Sequence, residues 1–364
     1  MNILYLTNHL NVGGITSYVL TLAQGIKSDG HAVYAATSTG DRLQELQREG
    51  IKYIRVPLRT KSEASPKVIF SFFKLLSAVS KYDIDIIHSH SRTTQVAGAL
   101  LARFSQAAHI STCHGFFKKR LSRRICGCWG SRVIAISKEV KKHLIDDFGV
   151  KEEIIRVIHN GIDTDRFTAI KETGLKKKFG LKDGPVVGII ARLSEVKGHI
   201  YLIEAMKEVT ARIPEAQLVI AGEGRMQKEL EDLTARLNLG QSVYFIPTVA
   251  DTRELLSVMD IFVMPSLKEG LGLGLMEAMA CGLPVIGSNV GGIKSLIQDR
   301  ENGLLVEPKE APQLSFAILE LLGNKEKGIS YGEKARQLII REFSKDQMVR
   351  KTIEVYKECL REGS

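Results

Sequence analysis

Two carboxylates, Glu269 and Glu277, stand with seven residues between them inside the stretch Ile261–Ser288. Gly270, Gly272 and Gly274 lie between them, and Leu275, Met276, Ala278, Met279 and Ala280 surround the second. The stretch reads as strand, glycine loop, helix, turn and strand. Ile261–Pro265 is a short apolar run, Gly282 and Pro284 are the punctuation that follows a helix, and Leu283–Ile286 begins the next run. Such a βαβ unit predicts a parallel sheet. A helix N-terminus offers unpaired N–H groups and partial positive charge, and glycines let backbone approach a ligand, so this loop suits a phosphate. A diphosphate bound there would leave one carboxylate near each end, where acidic groups suit the hydroxyls of a ribose and of a sugar. Spacing alone leaves a plainer reading open, with Glu269 capping the helix and Glu277 solvated or ion-paired.

The elements that must position these groups follow from the rest of the chain. Strands are predicted at Ile3–Thr7, Ala32–Thr37, Tyr53–Val56, Ile84–His88, His109–Cys113, Arg132–Ile136 and Ile154–Ile158. Helices are predicted at Ile15–Lys27, Asp41–Arg48, Pro66–Ser80, Thr93–Phe104 and Lys138–Asp147, the last with Ser137 as N-cap. This alternation indicates an α/β, doubly wound parallel sheet, whose ligands bind at the carboxyl ends of strands. After the first strand, Asn8–Gly14 ends in Gly13-Gly14 and runs into a helix, which makes either an anion site or a simple tight turn. It is not a G-x-G-x-x-G dinucleotide fingerprint. A second series opens with a strand at Val186–Ala191, followed by Arg192 and Lys197 before a helix. Next come Gln217–Ala221 with Gly222-Glu223-Gly224, then Val243–Ile246 and a helix at Asp251–Met259. Beyond the opening stretch lie Gly291-Gly292, a strand at Leu304–Val306, helices at Pro312–Leu322 and Ser330–Glu342, and a last helix over Phe343–Leu360.

His88, His90 and His114 fall at strand ends or just past them. His88-Ser89-His90 has no carboxylate at helpful spacing, so it reads as a polar loop rather than a metal site. The segment Phe116–Gly130 is basic at Lys118, Lys119, Arg120, Arg123 and Arg124 and apolar at Phe116, Phe117, Leu121, Ile125 and Trp129. It reads either as an amphipathic stretch for an anionic membrane surface or as a surface helix packed by its apolar side. No nucleic-acid-binding motif accompanies it, and no nucleic-acid partner is expected.

Length, 364 residues, suggests two or three domains. No run of eighteen apolar residues predicts a membrane span, and MNILYLTNHL reads as a first strand rather than a signal peptide. Cys113, Cys126, Cys128, Cys281 and Cys359 are odd in number, and the Cys-x-Cys pair lacks the second pair of a zinc site, so a reduced cytoplasmic setting is expected. Residues 1–170 hold 24 Lys and Arg against 14 Asp and Glu, whereas residues 171–364 hold 27 of each. The first half therefore carries the whole net charge of +10, which suggests an anionic partner or an acidic membrane surface there.

E-G-L-G-L-G-L-M-E-A-M-A-C-G-L-P-V-I closely resembles the E-x₇-E segment of retaining, GT-B-fold glycosyltransferases of family GT4, with Leu271 where the best-known pattern has Phe. The resemblance extends along nearly the whole chain. R-L-S-E-V-K-G at Arg192–Gly198 is similar to the family's R-L-x-x-x-K-G. Gly222-Glu223-Gly224 is similar to its G-x-G after a strand, and His159–Asp163 with Phe167 to the segment that closes the first domain. It implies two Rossmann-like domains facing one another across a cleft. The expected parts are an acceptor-binding domain over 1–170, a nucleotide-sugar-binding domain over 171–342, and a C-terminal helix over 343–364 crossing back to the first.

The implied reaction moves a sugar, with retention, from a nucleoside diphosphate sugar to an acceptor hydroxyl. Arg192 and Lys197 would clamp the diphosphate, Glu269 would hold the donor sugar and Glu277 the ribose. His114 would lie near the anomeric centre, and Gly13, Gly14, Gly222, Gly270, Gly272 and Gly274 would line the donor site. No Asp-x-Asp is present, so no metal and no other cofactor is expected. A UDP-sugar is the first expectation for the donor and GDP-mannose the second. The expected acceptor is a lipid-linked or cell-surface glycan of lipopolysaccharide or polysaccharide biosynthesis, met by a cytoplasmic enzyme peripheral to the inner face of the cell membrane. The alternatives are a sugar-nucleotide 2-epimerase on the same fold and a non-catalytic nucleotide-sugar-binding module.

Overall fold

The computed structural model describes residues 1–60, 65–119, 121–168 and 174–362. The chain divides into two compact units, Met1–Gly161 with Lys345–Ser364, and Ile162–Ser344. Each is a wholly parallel sheet with helices between its strands.

The first unit runs β1 (Asn2–Leu6), α1 (Gly14–Ser28), β2 (Ala32–Thr37), α2 (Leu43–Arg48), β3 (Lys52–Arg55), α3 (Pro66–Lys81), β4 (Ile86–Ser89), α4 (Arg92–Arg103), β5 (Ala108–Cys113), α5 (Leu121–Ile125), β6 (Arg132–Ala135), α6 (Lys138–Phe148) and β7 (Ile155–Val157). The second runs α7 (Leu175–Lys178), β8 (Val186–Ile190), α8 (His199–Arg212), β9 (Gln217–Ala221), α9 (Gln227–Arg236), β10 (Val243–Ile246), α10 (Arg253–Ser257), β11 (Ile261–Met264), α11 (Leu273–Ala280), β12 (Val285–Ser288), α12 (Ile293–Leu296), β13 (Leu304–Val306), α13 (Ala311–Gly323) and α14 (Lys325–Glu342). The closing helix is α15 (Lys345–Glu362).

Strand order in the first sheet is β3-β2-β1-β4-β5-β6-β7, and in the second β10-β9-β8-β11-β12-β13. Both orders reverse beside the first strand of the unit, between β1 and β4 and between β8 and β11. Those two points are where a doubly wound sheet opens a crevice at its carboxyl edge. The central strands are apolar on both sides, as NILYL, VVGII and IFVM require when helices cover both faces.

In the first unit Ile3, Tyr5, Val19, Leu22 and Ile86 form one core with Met348, Val349, Ile353 and Tyr356 of α15. Leu4, Leu6, Val68, Leu75, Ile87 and Leu101 form another with α3 and α4. Burial of each large apolar side chain stabilises by roughly 1.5–3 kcal/mol, so α15 is an integral layer of the first unit. Arg132 Nε donates to Glu358 at 3.0 Å and Arg156 Nε to the same carboxylate at 3.1 Å, which ties α15 to β6 and β7.

The units divide ahead of residue 170, because the chain after Gly161 already pairs with the second unit. Ile162 N–H donates to the Phe343 carbonyl at 2.8 Å, and Arg166 meets Asp251 at 3.1 Å. The expected boundary itself, at residues 170 and 171, lies outside the described residues.

Candidate active site

At the carboxyl edge of the second sheet the loops after β8, β9, β11 and β12 are bonded to one another. Leu193 N–H donates to the Glu223 carbonyl at 3.0 Å, Leu267 N–H to Val196 at 2.8 Å, and Gly292 N–H to Glu269 at 3.1 Å. Glycines make this approach possible. A side chain at Gly222 would collide with the Ala191 carbonyl, one at Gly198 with that of Pro265, and one at Gly292 with that of Gly270. The result is a continuous backbone surface over the β8–β11 switch point.

Lys197, in the loop after β8, forms an ion pair with Glu269, in the loop after β11. Glu269 also accepts from the Gly270 N–H at 3.1 Å and lies 3.4 Å from Ser266 Oγ. It therefore does not cap the helix. The position before α11 is Gly272, at φ +89°, and no side chain caps that end. The first N–H groups of α11 are left for an external acceptor. Arg192 projects from the β8 loop, exposed, with no carboxylate partner among the described residues. Glu277 lies inside α11 and is buried, 9% exposed. Its Oε2 accepts from Thr252 Oγ1 at 2.9 Å, which brings the loop after β10 into the same edge. Gly274 packs against the Ile190 carbonyl at the end of β8.

Thr252 and Ser266 did not stand out in the sequence. The signal for Thr252 is a hydroxyl residue immediately before a short helix in the loop that follows an edge strand, but nothing local names its partner.

In the first unit, the loop after β1 ends at Gly13, whose φ of +155° is a conformation other residues rarely adopt. It precedes α1, whose N-terminus has no side-chain cap. Gly14 is the first residue of that helix. Tyr18 on α1 packs edge-on against His114, ring centroids 4.7 Å apart. His114 follows β5, half-buried, with Nε2 3.2 Å from His90 Nδ1. His88 Nδ1 lies 2.7 Å from Tyr356 Oη and its Nε2 2.7 Å from Thr112 Oγ1.

The expectation of a polar loop at His88-Ser89-His90 is thus corrected. His88 lies in β4, both rings are buried, and they form a histidine–tyrosine layer under the β1–β4 switch point. Burial pushes the His114 ring down to about 3 and His109 down to about 4, and holds His88 and His90 well below the ordinary histidine value. All four are neutral near pH 7.

Among the described residues of Phe116–Gly130, only Leu121–Ile125 is helical. The rings of Phe116 and Phe117 lie against His143 of α6, and Trp129 against Phe148. Arg123 is buried with its guanidinium 4.0 Å from the Phe117 ring centroid, and Lys119 pairs with Asp147 at 2.6 Å. Lys118, Arg124 and Ile125 are exposed, and Arg120 lies outside the described residues. The aromatic side of this segment is therefore used inside the first unit.

A family model described as Glycosyltransferase Family 4 matches residues 12–166, and one described as Glycosyl transferases group 1 matches residues 171–338. The UDP-Gal:alpha-D-GlcNAc-diphosphoundecaprenol alpha-1,3-galactosyltransferase of Escherichia coli is 30% identical over 80% of this chain and 79% of its own. The chain belongs to glycosyltransferase family 4. The family 4 relatives include a GDP-mannose-dependent alpha-(1-6)-phosphatidylinositol monomannoside mannosyltransferase of Mycolicibacterium smegmatis, 25% identical over 89% of each chain. Among solved structures, a glycosyltransferase of Rickettsia africae superposes with a TM-score of 0.86 at 25% identity, covering 99% of this chain and 98% of that one. HepE of Anabaena, crystallised with UDP and glucose, superposes with 0.87 at 24% identity over 98% and 99%. The two Rossmann-like units of this family 4 glycosyltransferase are those of the GT-B fold, as the sequence motifs imply.

Proposed function

We propose that this glycosyltransferase takes its sugar from a nucleoside diphosphate sugar, a UDP-sugar before GDP-mannose, and transfers it with retention to a lipid-linked glycan. One observation carries the donor assignment. Lys197, Glu269, Arg192 and the uncapped end of α11 belong to interlocked loops over a single switch point.

In the proposed reaction the bond between the anomeric carbon and the diphosphate oxygen breaks, and its electrons pass to that oxygen. The acceptor oxygen bonds to the same face of the anomeric carbon, and its proton goes to the departing diphosphate. Arg192, Lys197 and the N–H groups at Gly272–Gly274 hold the charge that builds on the diphosphate. Glu269 binds hydroxyls of the transferred sugar, and Glu277 binds the ribose. His114, neutral because it is buried, donates or accepts one hydrogen bond near the anomeric centre. The clamp is built from side-chain cations and backbone dipoles, so we propose that no metal is needed.

The E. coli relative acts from UDP-Gal on a diphosphoundecaprenol-linked sugar, and the mycobacterial one acts on a phosphatidylinositol mannoside. Both names support a lipid-linked acceptor and, with it, a place on the inner face of the membrane. Among the described residues no helix is long and apolar enough to cross a membrane.

A thermal-shift panel of UDP, GDP, ADP, CMP and their sugars, with and without EDTA, tests the donor reading. A clear shift by a uridine or guanosine diphosphate, unchanged by EDTA, is expected. No shift from any nucleotide overturns the donor site, and a shift abolished by EDTA overturns the metal-free clamp.

A further inference from the structure

The solvent side of α3 and α4 carries most of the exposed aromatic surface of the first unit. Ile69, Phe70 and Phe73 on α3 and Phe104 at the end of α4 are each at least 60% exposed, and Leu100 is exposed beside them. Phe72 joins the two helices, its ring centroid 5.4 Å from Phe73 and 5.5 Å from Phe104. Elsewhere Ile125, Phe316 and Ile329 are as exposed, each on a different helix, α5, α13 and α14. Scattered apolar residues need no explanation, whereas a contiguous patch marks a contact surface.

The charge around the patch selects the partner. Lys67, Lys74 and Lys81 recur every seven residues, so they form one stripe along α3, adjacent to Phe70. All three are exposed, as is Arg103 on α4. Residues 64–82 and 86–138 contain no Asp or Glu at all. The stripe also borders a cleft of about 310 Å³ between α3 and β3, where Arg55, Lys74 and Lys81 converge with Tyr53, Ser77 and Tyr82. The Tyr53 hydroxyl already donates to the Ser38 carbonyl at 2.9 Å, so the three cations and the Ser77 and Tyr82 hydroxyls are the groups that suit a phosphate. A protein partner would need acidic and apolar groups alternating on one face. A bilayer containing acidic lipids supplies both everywhere, as phosphates at its surface and an acyl boundary just beneath them.

We propose that the α3–α4 face is a docking surface for an anionic lipid bilayer. Phe70, Phe73 and Phe104 enter the acyl boundary, and the Arg55–Lys74–Lys81 cleft takes a lipid phosphate. This deepens the proposal of a lipid-linked acceptor, but vesicle binding is read without donor, acceptor or turnover, so either reading can fail while the other stands.

The protein is sedimented with vesicles of phosphatidylcholine alone and of phosphatidylcholine with phosphatidylglycerol. Binding is expected only to the second, weakening with salt. Phe70→Ser with Phe73→Ser, and separately Lys74→Glu with Lys81→Glu, should each weaken it about tenfold or more. Lys118→Glu with Arg124→Glu, on the other basic segment, should leave it within about twofold. The side chains changed in these charge and phenylalanine variants are exposed, and circular dichroism melting checks the fold of every variant, including the partly buried Trp129→Phe. In a Trp129→Phe background, Phe70→Trp should show a blue-shifted emission on the phosphatidylglycerol vesicles. Unchanged binding by both α3 variants, loss only in the Lys118/Arg124 variant, or no emission shift overturns the proposal. So does a concentration-dependent dimer that Phe70→Ser with Phe73→Ser abolishes, since a second copy would then cover the face.

Discussion

Lys197 and Glu269 are 72 positions apart and form an ion pair whose side chains are only 19% and 13% exposed. It joins the loops on either side of the β8–β11 switch point. The ion pair holds Lys197 and Glu269 in place before a ligand arrives, and a bound diphosphate would take over part of the lysine.

Coupling between them follows. Lys197→Gln and Glu269→Gln should each lower kcat/KM by about a hundredfold or more, or ~3 kcal/mol. The double variant should fall short of the product by at least about 1 kcal/mol, because each single change also strands the other partner. A double-mutant cycle on transfer measures this, and additive losses would show that the pair is structural only.

Arg192 differs because it is exposed and lacks a carboxylate partner among the described residues. Arg192→Ala should leave the unfolding free energy from urea titration within the ~0.5 kcal/mol usual for surface changes. It should weaken nucleoside diphosphate binding by about tenfold while leaving nucleoside binding alone. Calorimetric titration with both ligands separates these, and equal loss for both would remove the phosphate role.

The Glu277 carboxylate is buried at the carboxyl edge of the second sheet and accepts a hydrogen bond from Thr252. Its proposed ligand is the ribose. Glu277→Gln should weaken binding of the ribonucleotide by about tenfold, within the range for hydrogen bonds to charged groups. A 2′,3′-dideoxynucleotide should show almost no difference between wild type and variant. If the dideoxy compound loses as much, the carboxylate acts on fold rather than ribose.

Acid should unfold the first unit through its buried histidines. His109 is pushed down to about 4 by burial, with Nε2 2.8 Å from Ser89 Oγ. The unfolded value is about 6.5, so between roughly pH 6.5 and 4 the unfolded chain binds a proton that the folded chain does not. Stability from this residue is therefore complete above the unfolded value and falls as pH drops, by up to about 1.4 kcal/mol per pH unit. His114, His88 and His90 act in the same direction. Urea midpoints taken between pH 7 and pH 4 should decline steeply, and His109→Gln should decline less. Parallel slopes for the two proteins would contradict the assignment.

The sequence by itself determined the elements and the loops that carry chemistry. Alternating apolar runs and glycine punctuation are local signals, so β8, β11 and α11 and the glycines between them were legible, as was the family. What only the tertiary structure decided are the pairings. Lys197 meets Glu269, and Glu277 meets Thr252, because strand order places β8 beside β11 and leaves β10 at the edge, and crossovers rather than local spacing set that order. The same holds for faces. HSH reads as polar along the chain but is buried because β4 lies between β1 and β5. α3 is apolar on several sides in sequence, so which phenylalanines enter the core and which face solvent depends on where α4 and the sheet press against it.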